Sequence, residues 1–446
     1  MIGYYIRLAL HSFGRTPTLT GLMMTILGLG IAVCVVSLTV YHAMSGNPMA
    51  RKGDRLYSVT IDSWAVERPA NRDRPHLPPT QLTYRDATYL YESDIPERKV
   101  IMYPASGVVT GGPRQRQPQR IRVRVTTADF FPMFEVPFQY GGGWSPQDDS
   151  GPEQAIVLSQ ELNQRLFGGA NSVGQSIEWN NQAFRVVGVL APWHPQPLFY
   201  DLNSGNFNDP ELAYIPWGWG VNLELRSAGS TRCWKFEEVN PFAALLQTEC
   251  TWLQMWVELP DAAARDRMQS FVDAYWADQR KAGRFERPRN NRLTNVGQWL
   301  IDQQVVQTDN SVLVQLAFAF LGVCLLNTIG LLLAKFQTAL ASAGVRRALG
   351  ATRRHIFTQY FVEAGTLSFS AATLGVALSA LGLWGVRVLY APTVQDGGGG
   401  YAALAHFDIT SLAWTAALAI VATVLAGAYP AWRIGRLSPV SSIKRE

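Results

Sequence analysis

The stretch from Leu19 to Met44, "LTGLMMTILGLGIAVCVVSLTVYHAM", contains no Asp, Glu, Lys or Arg. It exceeds the roughly 20 apolar residues that an α-helix needs to cross a bilayer, and lipid tolerates no irregular backbone in their place. Arg7 and Arg15 precede it, as basic residues precede a secretory signal peptide. The run is longer than the usual signal core of about 7 to 15 residues, and no small-x-small cleavage site closes it. It reads as a retained anchor.

Three further runs follow. "SVLVQLAFAFLGVCLLNTIGLLLA" extends from Ser311 to Ala334. A third starts near Ile356, includes Glu363 and ends near Val388, and "SLAWTAALAIVATVLAGAYPAW" extends from Ser411 to Trp432. The mean hydropathy of +0.01 is therefore an average over apolar blocks and a polar middle. Charged residues make up 16% of the chain, below the roughly 25% of soluble domains. The net charge of +5 comes with no nucleic-acid-binding motif. Arginines beside apolar spans answer instead to topology and anionic lipid, so membrane lipid and not nucleic acid is the expected surface partner.

Short connections set the orientation. The link between the second and third spans carries Lys335, Arg346, Arg347, Arg353 and Arg354. The link between the third and fourth, "YAPTVQDGGGGYAALAHFD", has no Lys or Arg, whereas the tail carries Arg433, Arg436, Lys444 and Arg445. Both termini are expected in the cytoplasm, with residues 45–310 outside. The expected fold class is an α+β membrane protein of four transmembrane helices. A large α/β extracytoplasmic domain is inserted between helices 1 and 2 on helical stalks. The expected layout is a cytoplasmic amphipathic segment at 1–18, spans at 19–44, 311–334, 356–388 and 411–432, a cytoplasmic link at 335–355, an outer loop at 389–410 and a tail at 433–446.

The outer region carries the signals of a folded domain. "RIRVRVTT" alternates, with Ile121, Val123 and Val125 on one strand face. "QAIVLSQELNQRLFGG" reads as a strand and then a helix opened at Ser159 and closed at Gly168. "SIEWNNQAFRVVGVL" reads as a hairpin around Asn180 and Asn181. "PDAAARDRMQSFVDAYWADQRKAG" has helical spacing, and "VGQWLIDQQVVQTDNSVLVQ" keeps it into the second apolar run, which predicts a continuous stalk. Cys34 and Cys324 lie in apolar runs as small buried hydrophobes. Cys233 and Cys250 lie in the polar middle, where an extracytoplasmic location permits a disulfide without requiring one.

Chemistry-bearing patterns are sparse. The sequence has no HExxH, GxSxG, paired-cysteine metal pattern or GxxxxGK[ST] phosphate loop, so no enzyme activity, metal or cofactor is expected on this chain. His194 reads as a loop residue. Among intramembrane polar groups, Glu363 reads as an interfacial, solvated carboxylate near the cytoplasmic end of its span, and Asn327 as an interhelical hydrogen-bonding residue. No series of ionisable groups crosses the membrane, which argues against a proton pump or an ion channel.

The segment "GVRRALGATRRHIFTQYFVEA" resembles the cytoplasmic segment between helices 2 and 3 of the four-helix MacB-type ABC transporter permeases, also called FtsX-like or type VII. "IRLALHSFGRTPTLTGLMMTILGLGIAV", "GVCLLNTIGLLL" with Asn327, "DFFPMFEVPFQYGGGWSPQD", "IVLSQELNQRLFGGANSVGQSIEWNNQAFRVVGVL" and the tail "YPAWRIGRLSPVSSIKRE" are similar to other parts of that family. The resemblance implies a dimer of permeases, identical or not, whose outer domain has a mixed α/β part split around a β-rich insertion, near 115–235 here. It implies cytoplasmic ABC ATPase subunits, with ATP and Mg held by them, docking on Gly344, Val345, Arg346, Arg347, Ala348, Leu349, Gly350 and Ala351. No ATPase is fused in this sequence, so a separate chain is expected. ATP binding would move the stalks, and the membrane part would transmit force and not conduct substrate. The family usually carries a glutamate where this chain has Ser342.

The function implied is a permease and mechanotransmission subunit in the bacterial inner membrane. It would drive efflux of peptides, antibiotics or similar substrates, with a periplasmic adaptor and an outer-membrane channel as further partners. The alternatives are a transmembrane signal transmitter that activates a periplasmic partner, such as a cell-wall hydrolase, and a lipoprotein-extracting permease.

Overall fold

The computed structural model describes residues 2–110, 117–150, 153–305, 308–338, 345–346, 349–389 and 409–436. They fall into two compact units: residues 45–305 form one, and the apolar helices at both ends of the chain form the other. Two helices open the chain, α1 (Ile2–Arg15) and α2 (Pro17–Ser45). Pro17 begins α2, where a missing N–H costs nothing.

The outer unit runs in order through β1 (Leu56–Thr60), α3 (Tyr84–Tyr91), β2 (Arg98–Thr110), β3 (Gln119–Thr126), α4 (Phe130–Met133), β4 (Phe138–Gly141), β5 (Ala155–Leu158) and α5 (Gln160–Phe167). It continues with β6 (Ser176–Trp179), β7 (Gln182–Leu190), β8 (Ala213–Pro216), α6 (Trp217–Asn222), α7 (Phe242–Leu245), β9 (Gln254–Glu258), α8 (Ala262–Lys281), β10 (Arg292–Asn295) and α9 (Val296–Asp302). The strands form one sheet in the order β10-β1-β9-β2-β3-β8-β5-β7-β4, with β6 bridging β2 and β7. The first strand, β1, and the last, β10, are antiparallel neighbours, so the domain is closed by the two ends of its own chain. β3 with β8 and β5 with β7 are parallel, and the other pairs are antiparallel.

Local chemistry accounts for several elements. Ser159 accepts the Leu162 N–H at the start of α5, and Gly168 ends it in the left-handed region at φ 70°. Asn180 and Asn181 form the β6–β7 turn with φ of 48° and 61°, the geometry a two-residue hairpin requires. Asp261 caps α8, which buries Met268, Val272 and Trp276. Both faces of the sheet are covered. Ile121, Val123, Val125, Ile101 and Tyr103 belong to one core, whereas Val100, Met102, Phe130, Phe199, Trp256 and Trp299 belong to the other.

The predicted continuous stalk is not formed. α9 stops at Asp302, Gln303 caps it, and Gln304 adopts φ 49°. The Val305 N–H bonds back to the Leu300 carbonyl, closing the turn. A helix-compatible period cannot register one residue placed in the left-handed region.

Three more helices complete the helical unit: α10 (Thr308–Thr338), α11 (Arg353–Leu389) and α12 (Ile409–Arg436). Within the described residues, four helical segments are long and apolar enough to cross a membrane: 17–45, 311–338, 353–386 and 416–433. α2 and α11 approach closely through small residues. A Cβ on Gly28 would lie 2.9 Å from the Ala371 carbonyl, and one on Gly375 would lie 3.1 Å from the Gly28 carbonyl. Cys34 is buried and donates its S–H to the Ala317 carbonyl of α10.

Candidate functional site

Of the segment between α10 and α11, residues 345–346 and 349–352 are described, and Gly350 closes a helical hydrogen-bond pattern there. Leu349 N–H bonds to the Val345 carbonyl, and Ala351 N–H reaches back to the Arg346 carbonyl across Gly350 at φ 102°. That six-to-one bond around a left-handed glycine is the C-terminal cap that satisfies orphaned helix carbonyls. Thr352 then caps α11, accepting the His355 N–H on its hydroxyl. "LGAT" is thus a stop and a restart within four residues.

The turn has two sides. Val345 and Leu349, four residues apart, are exposed, and Leu349 retains 83% of its surface. Ala351 is half-buried against the helical core. The Arg346 guanidinium donates to Gln359 Oε1 of α11 at 2.7 Å, so this arginine braces the turn on the following helix. The remaining predicted members, Gly344, Arg347 and Ala348, lie outside the described residues, as does Ser342.

Beside this turn the structure overturns the reading of Glu363 as a solvated carboxylate. Lys335 Nζ, near the end of α10, lies 2.9 Å from Glu363 Oε1 on α11, and both side chains are less than a tenth exposed. Ser12 on α1 donates to the same oxygen at 2.7 Å. The ammonium sits 4.9 Å from the Phe13 ring centroid and off the hydrogen-bonding direction of the carboxylate, so Coulomb and cation–π attraction hold it. Three elements distant in sequence meet at one buried ion pair. Opposite charges at the edges of two consecutive apolar runs were the available signal for Lys335 and Glu363, and nothing in the sequence pointed to Ser12.

Asn327 lies on the surface of the helical unit. It is exposed on α10 and makes no interhelical hydrogen bond among the described residues. Cys233 and Cys250 form a disulfide in the outer unit, and Cys34 and Cys324 are free and buried. His194 is a loop residue 4.0 Å from Asp209. No group of three or more potential metal-ligating side chains occurs among the described residues.

The outer unit also encloses charge. Arg124 on β3 is fully buried, 2.8 Å from Asp201 and 2.5 Å from Glu211. Burial opposes its charge, but Glu211 and Asp201 outweigh that cost and raise its pKa. Asp149 accepts the Ala128 N–H and the Trp144 indole N–H, yet burial pushes its carboxyl up to about 6.

Residues 20–275 match the family model of the MacB-like periplasmic core domain, and residues 314–439 match that of the FtsX-like permease C-terminal region. The chain belongs to the MacB-like, FtsX-like permease family. A macrolide export ATP-binding/permease protein MacB from Syntrophobacter fumaroxidans is 24% identical over 72% of this chain and 47% of its own length. A pyoverdine export ATP-binding/permease protein PvdT from Pseudomonas fluorescens is 24% identical over 95% of this chain and 57% of its own length. The chain thus spans about half the length of these relatives. Among solved structures, the periplasmic region of MacB from Actinobacillus actinomycetemcomitans matches 58% of this chain and 96% of its own, at 13% identity and a TM-score of 0.36. The extracellular domain of the transporter YknZ matches 54% of this chain and all of its own, at 14% identity and a TM-score of 0.34. The family matches and the four apolar helices fit a multipass membrane transporter subunit of the permease type.

Proposed function

We propose that this chain couples ATP hydrolysis by ABC ATPase subunits, which hold the ATP and Mg, to movement of its outer domain, and that the machine exports substrate from the outer face of a bacterial inner membrane. The observation that carries the reading is the exposed Val345–Leu349 pair on a glycine-capped turn braced to α11 by Arg346. A rigid turn with an apolar face can receive a partner and pass its displacement to the helix it is braced on. The arginines of the link and the tail support placing this side and both termini in the cytoplasm.

Asn327 supports a second permease subunit. An amide facing lipid is costly, and a hydrogen bond across an α10–α10 or α10–partner interface removes that cost. Relatives named for macrolide and pyoverdine export support an export substrate, with an adaptor and outer-membrane channel completing the path.

The test is affinity purification of the full chain from native membranes, with Leu349→Asp and Arg346→Glu variants alongside. Burying a leucine is worth about 1.5–3 kcal/mol, so Leu349→Asp should weaken ATPase binding about tenfold or more. An ATPase retained equally by both variants, with unchanged stimulated hydrolysis, overturns the assignment of the turn. Recovery of no ATPase with the unaltered chain overturns the coupling reading itself.

A further inference from the structure

The described outer unit contains a cavity of about 450 Å³ lined by Trp64, Arg68, Ala70, Arg72, Arg232 and Trp234, together with Pro69, Asn71 and Cys233. Its volume lies within the roughly 300–1,000 Å³ of small-molecule sites. Three arginines and two tryptophans face it, and its lining includes no carboxylate.

Arg68, Arg72 and Arg232 are all exposed, unlike the acid-paired Arg124, Arg284 and Arg287 of the same unit. Among the described residues, no ion pair involves Arg68, Arg72 or Arg232. The neighbouring acid Asp73 acts on Arg74, as does Asp302. Arg68 spends one donor on the Trp234 carbonyl at 2.8 Å, and Arg232 spends one on the Ala70 carbonyl. Each guanidinium has five N–H donors, so most remain for a ligand.

The walls are held in place before any ligand arrives. Arg232 stacks over the Trp64 ring at 5.2 Å. Cys233 is tied to Cys250, and Arg232 pairs with Thr251 through backbone bonds. The 62–68 segment is held by Arg287, which pairs with Asp62 at 3.1 Å and donates to the Ala65 and Arg68 carbonyls. The Trp234 indole N–H is buried without a hydrogen-bond partner among the described residues.

We infer that this cavity binds a small amphipathic carboxylate, its planar apolar part against Trp234 and its carboxylate held by Arg68, Arg72 and Arg232. Guanidinium–carboxylate bonds are charge-assisted and directional, and indole faces supply apolar area with a fixed geometry. The inference does not rest on the ATPase-coupling reading, because neither the cavity nor its ligand chemistry involves the membrane helices.

The test uses the full chain in nanodiscs of zwitterionic lipid, with 2-naphthoate as the probe and empty nanodiscs as the partition control, read by equilibrium dialysis. Saturable one-to-one binding that weakens with salt is expected. Uncharged 2-naphthamide should bind at least about tenfold more weakly, and Arg72→Glu, a change at an exposed side chain, should cost naphthoate about tenfold while sparing the amide. Equal binding of acid and amide, an unchanged affinity in Arg72→Glu, or no binding above empty nanodiscs overturns the inference. The acid-against-amide comparison needs no variant, so misfolding of a mutant cannot rescue it.

Discussion

Replacing Lys335 by methionine isolates the contribution of the buried ion pair. The substitution leaves the Glu363 carboxylate inside the helical unit with the Ser12 hydroxyl as its remaining hydrogen-bond partner among the described residues. Removing one member of a buried pair costs about 3–5 kcal/mol, because the survivor stays desolvated and uncompensated. The ammonium lies 2.9 Å from the carboxylate without hydrogen-bond alignment, which places the cost near about 3 kcal/mol. At roughly 2–4 °C per kcal/mol for a unit of this size, the midpoint should fall on the order of 10 °C.

The double variant Lys335→Met/Glu363→Met should recover most of that loss, since two apolar side chains of similar volume replace a pair that had to be desolvated. The two free cysteines provide the assay. Cys34 and Cys324 are both buried in the helical unit, so a fluorogenic maleimide reports its opening during heating. A midpoint within about 2 °C of the unaltered chain for Lys335→Met would refute the reasoning, because it would mean that the carboxylate is solvated or protonated without its partner. A double variant as unstable as the sum of its singles would refute it too, by showing that the two groups act independently.

The other predictions concern the two ends of the proposed mechanism and the outer domain between them. Leu349→Asp and Arg346→Glu should release the ATPase in co-purification, Leu349→Asp through the lost apolar contact and Arg346→Glu through loss of the Gln359 brace. The naphthoate cavity should discriminate acid from amide, as measured by dialysis. Breaking the Cys233–Cys250 bond, which closes 17 residues, should lower the stability of the outer unit by about 3 kcal/mol on the chain-entropy account, measured by denaturant unfolding of Cys233→Ser/Cys250→Ser. Asp149 has a folded pKa of about 6 against 3.8 for the free side chain, so the folded state binds the extra proton between those values. Its contribution therefore declines as pH rises from about 4 to 6, and Asp149→Asn should flatten stability across that window; an unchanged slope counts against the assignment.

Elements specified by neighbouring residues were readable directly. Ser159 and Gly168 bracket α5, Asn180 and Asn181 make the β6–β7 turn, and the alternation of Ile121, Val123 and Val125 marks the core face of β3. Family membership followed from the same kind of local pattern, and the matches to residues 20–275 and 314–439 bear it out. The turn proposed for coupling was only half readable. "GVRRALGATRR" marked its place and its apolar residues, but not the use of Arg346 as a brace or the burial of Ala351. The stalk failed because apolar period continues through residues 296–315 while the backbone turns at Gln304.

The sequence alone determined where the apolar helices run, which termini and links carry the positive charge, and that no phosphate loop is present. Each of these depends on residues within one helix length, so composition and spacing suffice. Tertiary structure decided the environment of the charged groups. Alternation placed Ile121, Val123 and Val125 on one face of β3, but only the fold buries Arg124 of the other face against Asp201 and Glu211. Glu363 looked interfacial until α1 and α10 brought Ser12 and Lys335 to it. The arginine–tryptophan cavity joins residues 64–72 to residues 232–234, more than a hundred and fifty positions apart. A one-dimensional pattern records which face a side chain occupies, whereas desolvation and pairing depend on what packs against that face, and here the partners come from distant parts of the chain.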